Sequence, residues 1–346
     1  MQKKRVSIKD IAEATGVSHP TVSRALRSEG RMSDQTRTRI LDAARTMGYT
    51  PSLVARGLVM QRTNTIGLVV TNFADPFHSE VARGVEDEAV LHQFSVYIAS
   101  SKVDAKRELE VVRAFQGRQV DGIIVSSSRV GDQYADLLQE TGVPIVLVNN
   151  HADGTNIYAV YHDDYTGACT VAQHLIDCGY RRIAYLGNGR AGRANTERKR
   201  GWGDILRRAG LPAEVKVLGS NGRLQGGGAG VAPLLEEAKR LWNAWPDAIM
   251  CYNDTMAIGV LRELHGRGIQ VPEDIALTGY DDIEISGYVQ PPLTTWHQPR
   301  YELGREAMRM VLALLNSTDP DEVPNVVLLT GQLVVRASTI KKVSHS

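Results

Sequence analysis

The sequence is poor in cysteine and has no long apolar run. Only three of its 346 residues are cysteine. These three form no CxxC pair and have no histidine at metal-ligand spacing, so we expect small buried thiols at Cys169, Cys178 and Cys251 and neither a metal site nor a disulfide framework. No apolar stretch approaches the roughly 20 residues that cross a bilayer, and the N-terminus lacks a signal peptide's hydrophobic segment. These absences predict a cytoplasmic protein.

The chain as a whole also lacks an excess of either sign of charge, since its formal net charge is +1. Its distribution is uneven, because residues 1–62 carry twelve Lys or Arg against five Asp or Glu, and the remaining residues carry 28 against 34. A basic segment on an acidic body is typical of a phosphate-binding module attached to domains with another task. The length indicates about two to three domains, and 42% apolar residues suffices for their cores.

No Ser/His/Asp or paired-carboxylate arrangement stands out, so we predict no enzymatic activity and no cofactor. One motif favours an alternative: residues 187–192, GNGRAG, formally match GxGxxG after the apolar run RIAYL, which in isolation predicts a dinucleotide-binding enzyme. The following RANTERKR is charged where such a helix needs apolar residues, and the acidic candidate Glu214 precedes its strand instead of ending it. A measurement of NAD binding separates the two interpretations.

The segment Ser7 to Leu26 predicts two short helices joined by a turn. Ser7 and Asp10 form a capping-box-like start, and Gly16 ends the first helix. Ser18 is the expected N-cap of the second helix, with Pro20 in its first turn and with Val22 and Leu26 as a buried pair. This arrangement is a helix-turn-helix, whose outward side chains can contact the edges of a DNA major groove. The alternative is an ordinary helical hairpin with a solvated polar face.

A third helix is predicted from Gln35 to Met47, capped by Ser33, with Ile40, Leu41, Ala44 and Met47 on one face. It completes a three-helix headpiece. Residues 52–60, SLVARGLVM, then predict a short hinge helix that begins near a proline. Because an isolated helix needs about 12–15 residues to be even marginally stable in water, we expect this one to require support from a partner.

From Thr65 onward, apolar strand-like runs alternate with helical segments, and the rhythm repeats after a break at 151–158. Such βαβ repeats predict two open, doubly wound parallel sheets with helices on both faces, and ligands bind beyond the carboxyl ends of their strands. The C-terminal part predicts one more strand, a helix and a terminal hairpin. We expect a flexible loop at residues 226–228, GGG.

Four pieces of this sequence together resemble the LacI/GalR family of bacterial transcription regulators: SIKDIAEATGVSHPTVSRAL; MSDQTRTRILDAARTMGYTPSLVARGL; VDGIIV with VPIVLVNN; and ALTGYDD followed by PPLTTWHQP. The resemblance implies a helix-turn-helix headpiece and a two-lobed, periplasmic-binding-protein-like domain. It also implies a homodimer that binds a pseudo-palindromic operator, most often as a repressor, with affinity controlled by a small molecule between the lobes. An exported periplasmic sugar-binding protein shares that architecture, but the basic headpiece argues against it.

The resemblance assigns two groups of DNA-contacting residues. Base contacts fall on His19, Pro20 and Arg24, and Pro20 departs from members that have a hydrogen-bonding side chain there, so one base is weakly specified. Contacts that position the backbone fall on Ser7, Ser18, Thr21, Ser23, Ser33, Thr36 and Tyr49. In the hinge, Leu58 matches the leucine that enters the minor groove, with Ala55 beside it.

The resemblance also places effector contacts in the cleft between the lobes, at Asp75, Phe77, Ser128, Arg198, Asn253 and Asp281. Carboxylate, amide and guanidinium groups at strand ends suit a sugar or sugar-like metabolite. Alternatively, Asp75 and Asn253 act as helix N-caps, and Arg198 is a surface charge in a very basic segment. The loop 220–230 lacks the aromatic residue that several sugar-binding relatives have near Asn221, so the effector's identity stays open.

These inferences predict three parts of the chain: a headpiece at 1–50, a hinge and linker at 51–63, and a ligand-binding and dimerisation domain at 64–346. Within the last, we expect the first lobe at about 64–159 and 294–322, and the second at about 160–293 and 323–340. No leucine heptads follow the last strand, so a dimer is expected instead of a larger coiled-coil assembly.

Overall fold

The computed structural model describes residues 6–27, 29–50, 62–130, 142–150, 157–319 and 322–341. By internal contacts the chain divides into two compact units, 1–63 and 64–346. The predicted hinge helix at 52–60, with Ala55 and Leu58, lies outside the described residues. No helix in the described segments is long and apolar enough to cross a membrane.

The first unit contains helices α1 (Ile8–Thr15), α2 (His19–Leu26) and α3 (Asp34–Thr46). Ser7 begins α1 with a capping box, in which its backbone N–H donates to Asp10 Oδ2 at 2.7 Å and its hydroxyl accepts from the Asp10 N–H. Gly16 ends the helix in the left-handed conformation at φ 65°, which favours glycine. The start and stop signals in the sequence therefore operate as predicted.

The headpiece core consists of five buried side chains, Ile11, Val22, Ala25, Ile40 and Ala44. Two expectations about it were wrong. Ala25, and not Leu26, is the buried companion of Val22, and Leu41 is 39% exposed. Neighbouring residues of a helix point about 100° apart, so burying Ala25 and Ile40 turns Leu26 and Leu41 toward the edge of the contact.

The second unit begins with a six-stranded parallel sheet, which forms the first lobe. Its spatial order is β11, β5, β4, β3, β1, β2. Helices α4 (Pro76–Leu91) and α10 (Arg300–Asn316) share one buried cluster with the sheet, and α5 (Ala105–Gly117) shares the cluster on the other face. The strands are β1 (Thr65–Val70), β2 (Ser95–Ser100), β3 (Gly122–Ser126), β4 (Ile145–Val148), β5 (Tyr158–His162) and β11 (Val326–Leu329).

The second lobe contains a four-stranded parallel sheet in the order β7, β6, β8, β9. Its strands are β6 (Ile183–Asn188), β7 (Lys216–Gly219), β8 (Ala248–Cys251) and β9 (Ala276–Thr278). Its helices are α6 (Asp164–Asp177), α7 (Arg193–Arg208), α8 (Leu224–Trp242) and α9 (Asp254–Gly266). A helix-turn-helix headpiece followed in the chain by two doubly wound parallel sheets confirms the predicted fold class.

The C-terminal part does not form the predicted terminal hairpin. Strand β11 pairs in parallel with β5 of the first lobe, whereas β12 (Gln332–Val334) pairs antiparallel with β10 (Thr295–His297). Residues 326–329 therefore belong to the first sheet and not to the second lobe, and β5 extends the first lobe past residue 159. The chain crosses between lobes near 163, 298–299 and 330–331. Nothing local in VVLLTGQLV distinguishes two strands of a hairpin from strands of two lobes.

The triple glycine is not a flexible loop, because residues 226–228 lie inside α8. A Cβ on Gly227 would lie 2.1 Å from the Met256 carbonyl oxygen of α9, and one on Gly259 would lie 2.0 Å from the Leu224 carbonyl oxygen. The glycines therefore allow α8 and α9 to approach each other closely. The expectation of three buried thiols was also partly wrong: Cys251 is buried, Cys169 is half-buried, and Cys178 at the end of α6 is exposed.

Candidate DNA-binding and effector-binding sites

Helix α2 presents the polar face that the sequence assigned to DNA. Because Val22 and Ala25 point into the core, His19, Pro20 and Arg24 project outward and are exposed. The half-buried Thr21 and Ser23 flank them. The hydroxyls of Ser18 and Thr21 are 2.8 Å apart, and the Ser23 hydroxyl accepts from Arg27 Nη2 at 3.2 Å. Arg27, which the sequence interpretation missed, thus adds a second guanidinium at the end of this helix.

Two of the other predicted DNA-contacting residues lie at helix N-termini. Ser7 caps α1, and the Ser33 hydroxyl accepts from the Thr36 backbone N–H at 3.2 Å at the start of α3. The positive end of a helix dipole favours phosphate oxygens there. Tyr49 packs half-buried against the headpiece core, and burial raises the pKa of its phenol. The roles of these residues toward DNA stay predictions.

All six predicted effector residues line one cleft of about 340 Å³ between the lobes. They follow or lie near the carboxyl ends of strands in both sheets, where open α/β sheets bind ligands. The residues that the sequence selected and the structure brings together are Asp75, Phe77, Ser128, Arg198, Asn253 and Asp281.

The first lobe's wall consists of groups that the fold already uses. Asp75 is the N-cap of α4, and its Oδ1 accepts from the Phe77 backbone N–H at 3.0 Å. Phe77 is only 6% exposed and belongs to the lobe's core, so little of its ring faces a ligand. The Ser128 hydroxyl donates to Glu108 Oε1 at 2.5 Å. The N-cap alternative therefore holds for Asp75.

A buried histidine completes this wall. His78 Nε2 is 2.6 Å from the Thr71 hydroxyl, and His78 Nδ1 is 3.0 Å from the Ser126 hydroxyl. Burial lowers the pKa of the imidazole, because the charged form would lose its hydration. The first wall therefore carries a neutral ring at neutral pH.

The second lobe's wall is organised around Arg198, which is 3% exposed and not a surface charge. Its Nε donates to Asp164 Oδ1 and its Nη1 donates to the Tyr252 carbonyl, both at 2.7 Å. The guanidinium carbon lies 3.7 Å from the ring centre of Tyr280 and 4.7 Å from that of Tyr252. Ion pairing, hydrogen bonding and cation–π contact thus stabilise a charge that burial alone would penalise.

Two carboxyl groups near Arg198 respond in opposite directions. Burial tends to raise the pKa of Asp164, but the charges of Arg198 and His162 outweigh it and lower that pKa to about 2. Asp281 Oδ1 lies 3.7 Å from Arg198 Nη1, and there burial outweighs the guanidinium and raises the pKa of Asp281 to about 7. Nearby Asp75 adds to this rise. At neutral pH the wall therefore contains one ionised carboxylate, Asp164, and one carboxyl group, Asp281, whose pKa lies close to the pH.

Side chains at the crossovers extend this network into the first lobe. Asn149 Nδ2 donates to Gln298 Oε1 at 3.2 Å, and Gln298 Nε2 donates to Asp281 Oδ1. On the other side, His162 Nδ1 is 3.1 Å from Asn149 Oδ1, and its Nε2 is 3.2 Å from Asp164 Oδ1. Together with Arg198 these residues form a closed polar ring across the lobe junction. A ligand against Arg198 or Asp281 touches this ring directly.

Asn253 matches the N-cap alternative. Its Oδ1 accepts from the Met256 backbone N–H at 2.9 Å, and its Nδ2 donates to the Gly222 carbonyl at 3.1 Å. The glycine-rich segment 187–192 includes the end of β6 and leads into α7. Asn195, in the first turn of α7, accepts from the Asn188 backbone N–H through Oδ1 at 3.0 Å.

The sequence interpretation missed most of the cleft's cationic side chains. Besides Arg198, the lining includes Lys102, Arg129, Arg190, Arg193 and Arg223. The available signal was positional: Lys102 follows β2, Arg129 follows β3, Arg190 follows β6, and Arg223 follows β7. Basic residues that recur after strands of both sheets indicate a cationic cleft, although each one alone looks like a surface charge.

Known protein families match segments of both units of the chain. A profile of the lacI family of bacterial regulatory proteins matches residues 7–52, and one of a periplasmic binding protein-like domain matches residues 172–339. Catabolite control protein A of Priestia megaterium is 32% identical over 336 residues, covering 96% of this chain and 99% of that protein.

Solved structures agree as well. The lac repressor dimer bound to operator and the anti-inducer ONPF aligns with a TM-score of 0.85 at 26% identity, covering 98% of this chain and 100% of that one. The complex of the transcriptional regulator CelR with cellobiose aligns at 0.72 and 28% identity, covering 96% and 100%. With a relative of 32% identity spanning nearly the whole chain and the family profile falling on the helix-turn-helix, this chain belongs to the lacI family, as a DNA-binding transcription regulator and not an enzyme.

Proposed function

We propose that this regulator acts in the cytoplasm as a homodimeric repressor whose operator affinity changes when a small polyhydroxylated effector, a sugar or sugar-like metabolite, binds between its lobes. One observation carries the proposal: the six effector residues selected from the sequence, Asp75, Phe77, Ser128, Arg198, Asn253 and Asp281, surround a single cleft. Carboxyl, amide and guanidinium groups there offer both donors and acceptors to hydroxyls. The CelR structure, which contains the sugar cellobiose, supports this choice of effector class.

We propose that the exposed face of α2 recognises the base sequence of the operator. Arg24 projects from the last turn and suits a bidentate contact with a guanine edge, whereas Pro20 offers only apolar contact. Arg24→Ala should cost roughly 1–3 kcal/mol of operator binding and relax the preference at one position in each half-site. Arg31→Ala and Arg37→Ala serve as matched controls that weaken all sequences alike. Selection of bound DNA from a random pool measures both, and an unchanged motif with Arg24→Ala would contradict the assignment.

Leu58 is proposed to enter the minor groove at the operator centre, with Ala55 beside it, as the family resemblance implies. Leu58→Ala should then weaken operator binding far more than non-specific binding, since only the specific complex offers an unstacked central step. Gel-shift titration on operator and random DNA measures this ratio. Equal losses on both DNAs would remove Leu58 from the proposed contact set.

A dimer surface from both lobes is supported by exposed apolar side chains at the edge of each sheet. Tyr97 and Ile98 on edge strand β2 are 51% and 44% exposed, and Leu218 on edge strand β7 is 56% exposed. A twofold dimer matches a pseudo-palindromic operator with half-sites about one turn, roughly 10 bp, apart. Sedimentation should give a dimer, and Tyr97→Asp combined with Leu218→Asp should give monomers. A stable tetramer would contradict the proposal.

The effector response is tested at Asp281, which touches the lobe-crossing ring. Asp281→Ala removes the carboxyl group that would bind the effector's hydroxyls, and it should leave operator binding intact while abolishing the effect of an active sugar on it. The measurement is operator affinity across a panel of sugars for both proteins. A normal response in the variant would move the effector site elsewhere.

A further inference from the structure

The cleft between the lobes is cationic although the unit that contains it is acidic. Residues 64–346 carry more Asp and Glu than Lys and Arg, 34 against 28. Of the charged side chains that line the cleft, six are cationic and two are carboxyl groups, Asp75 and Asp281. Arg198 is neutralised by its contacts with Asp164 and Asp281. The excess positive charge of the cleft therefore comes from the other cationic side chains, four of which, Lys102, Arg129, Arg190 and Arg223, are called its rim here.

Four rim cations belong to four different loops of the two lobes: Lys102, Arg129, Arg190 and Arg223. Within the described residues, none of them forms an ion pair with a carboxylate. Lys102, Arg129 and Arg190 also line an adjoining recess of about 450 Å³. Cations held around one opening repel one another, and an anion bound between them offsets that repulsion by attracting each of them.

The protein holds one of these cations, Arg129, in place. Glu108, which is buried, accepts from the Arg129 backbone N–H at 3.0 Å. The Arg129 guanidinium donates through Nη2 to the Arg190 carbonyl, so it reaches from the first lobe to the second. Arg129 is therefore positioned by a buried carboxylate that binds its backbone and leaves its side-chain charge for the cleft.

Two helix N-termini add to the positive potential. Helices α7 and α8 begin after Gly192 and Arg223, which offer no side-chain oxygen to the first backbone N–H groups, and residues of both first turns line the cleft. The positive ends of helix dipoles favour an anion at such positions. The opposing carboxyl groups are weak competitors, since Asp75 already caps α4. Burial raises the pKa of Asp281 to about 7, which leaves it partly protonated at neutral pH.

We infer that the effector is an anionic polyol, a sugar that carries a phosphate or carboxylate group. This inference rests on the proposed function of the cleft and specifies its ligand. The hydroxyls lie toward Arg198 and Asp281, and the anionic group lies among Lys102, Arg129 and Arg190. Arg129 and Arg190 thereby distinguish a charged sugar from its neutral parent.

Inorganic phosphate is the first probe, titrated into the full-length protein and followed by isothermal titration calorimetry. We expect saturable binding that weakens at least tenfold in the double variant Arg129→Gln/Arg190→Gln. Arg262→Gln, an exposed arginine of α9 outside the cleft, is the matched control and should bind as the parent does. The headpiece is identical in all three proteins, so any phosphate that it binds contributes equally to the three titrations and does not affect their difference. Absence of a cleft-dependent component would overturn the inference.

Competition against phosphate then identifies the anionic group. Glucose 6-phosphate and gluconate are the charged probes, and glucose is the neutral one. Displacement by one charged sugar at concentrations at least tenfold below those needed with glucose supports the inference and assigns phosphate or carboxylate. A neutral sugar that binds and changes operator affinity, with no cleft-dependent phosphate binding, would overturn the anionic effector but keep the proposed function. If no small molecule alters operator affinity, the proposed function itself fails.

Discussion

The two walls of the cleft differ in how they hold their polar groups. On the first lobe's wall, Asp75, Phe77 and Ser128 are engaged locally, as a helix cap, a core side chain and a partner of Glu108. On the second lobe's wall, Arg198 and Asp281 belong to a buried charge network that also joins the lobes. The helix packing of the lobes is nevertheless alike, with glycine contacts in both. The difference lies in electrostatics and not in architecture.

This contrast indicates different tasks for the two walls. Groups that serve the fold locally present a fixed surface and change little when a ligand arrives. Buried charges that are balanced against one another respond to any added charge or proton, because their interaction energies in a low-dielectric site are large. We therefore expect substitutions in the second wall to have larger effects on stability than substitutions in the first.

The largest effect is expected for Arg198→Ala. It leaves Asp164 buried without its guanidinium partner, and removal of one member of a buried pair costs about 3–5 kcal/mol. Urea unfolding measures the free energy of unfolding. Arg200→Ala is the matched control on the same helix, where an exposed arginine pairs with Glu197, and it should cost at most about 1 kcal/mol. Similar losses for both variants would remove the distinction between buried and exposed charge.

The next effect is a pH dependence controlled by Asp281. Burial raises its pKa from 3.8 to about 7 against the attraction of Arg198 and Arg300 and the hydrogen bond from Gln298, with Asp75 adding to the rise. Between these pH values the folded state binds the proton and the unfolded state does not, so stability should fall as the pH rises from about 4 to 7. The loss has an upper limit of about 4 kcal/mol.

Asp281→Asn should flatten this part of the stability–pH profile, since the amide resembles the protonated acid. Asp164 provides the opposite sign: its pKa is lowered to about 2, so it stabilises the fold above about pH 4 and this contribution is lost as the pH falls toward 2. Denaturation at several pH values separates the two windows. An unchanged slope in the asparagine variant between pH 4 and 7 would contradict the assigned titration.

A smaller effect tests the packing that the lobes share. Gly227→Ala should cost about 1–3 kcal/mol, because its Cβ would lie 2.1 Å from the Met256 carbonyl oxygen. Its neighbour gives the control: a Cβ on Gly228 would lie 3.4 Å from the nearest atom, so Gly228→Ala should stabilise α8 by about 0.5–1 kcal/mol. Thermal unfolding should show opposite signs. The same sign for both would mean that α8 adjusts its position.

The smallest effect concerns the first wall. Asp75→Ala removes the N-cap of α4 and should cost about 1 kcal/mol, whereas Asp75→Asn keeps an accepting oxygen and should change stability by only a few tenths of a kcal/mol. Chemical denaturation measures both variants. If the asparagine variant lost as much as the alanine variant, the charge of Asp75, and not its cap, would hold the first wall.

Local signals explain which parts of the fold were predictable. The caps Ser7 and Ser33, the stop at Gly16 and the apolar strand runs act within a few residues of the chain, so the headpiece and the two parallel sheets follow from the sequence. The six cleft residues, by contrast, were selected by family resemblance. Their spacing along the chain, from Asp75 to Asp281, contains no information about their distances in space.

The sequence by itself determined the caps Ser7 and Ser33, the stop at Gly16 and the apolar strand runs, since hydrogen-bonded caps and side-chain periodicity are short-range effects. Only the tertiary structure decided that β11 joins the first sheet, that Gly227 lies in a helix–helix contact and that four loop cations meet at one rim. Glycine permits both flexible loops and close backbone approach, so its presence does not distinguish between them. An arginine in a loop gives no sign in the sequence of whether it lies at the cleft or elsewhere on the surface. The pairing of β11, the contact at Gly227 and the meeting of the loop cations all depend on which distant segments pack together. The energy of that packing is gained only once the segments are in contact, so no local pattern encodes it.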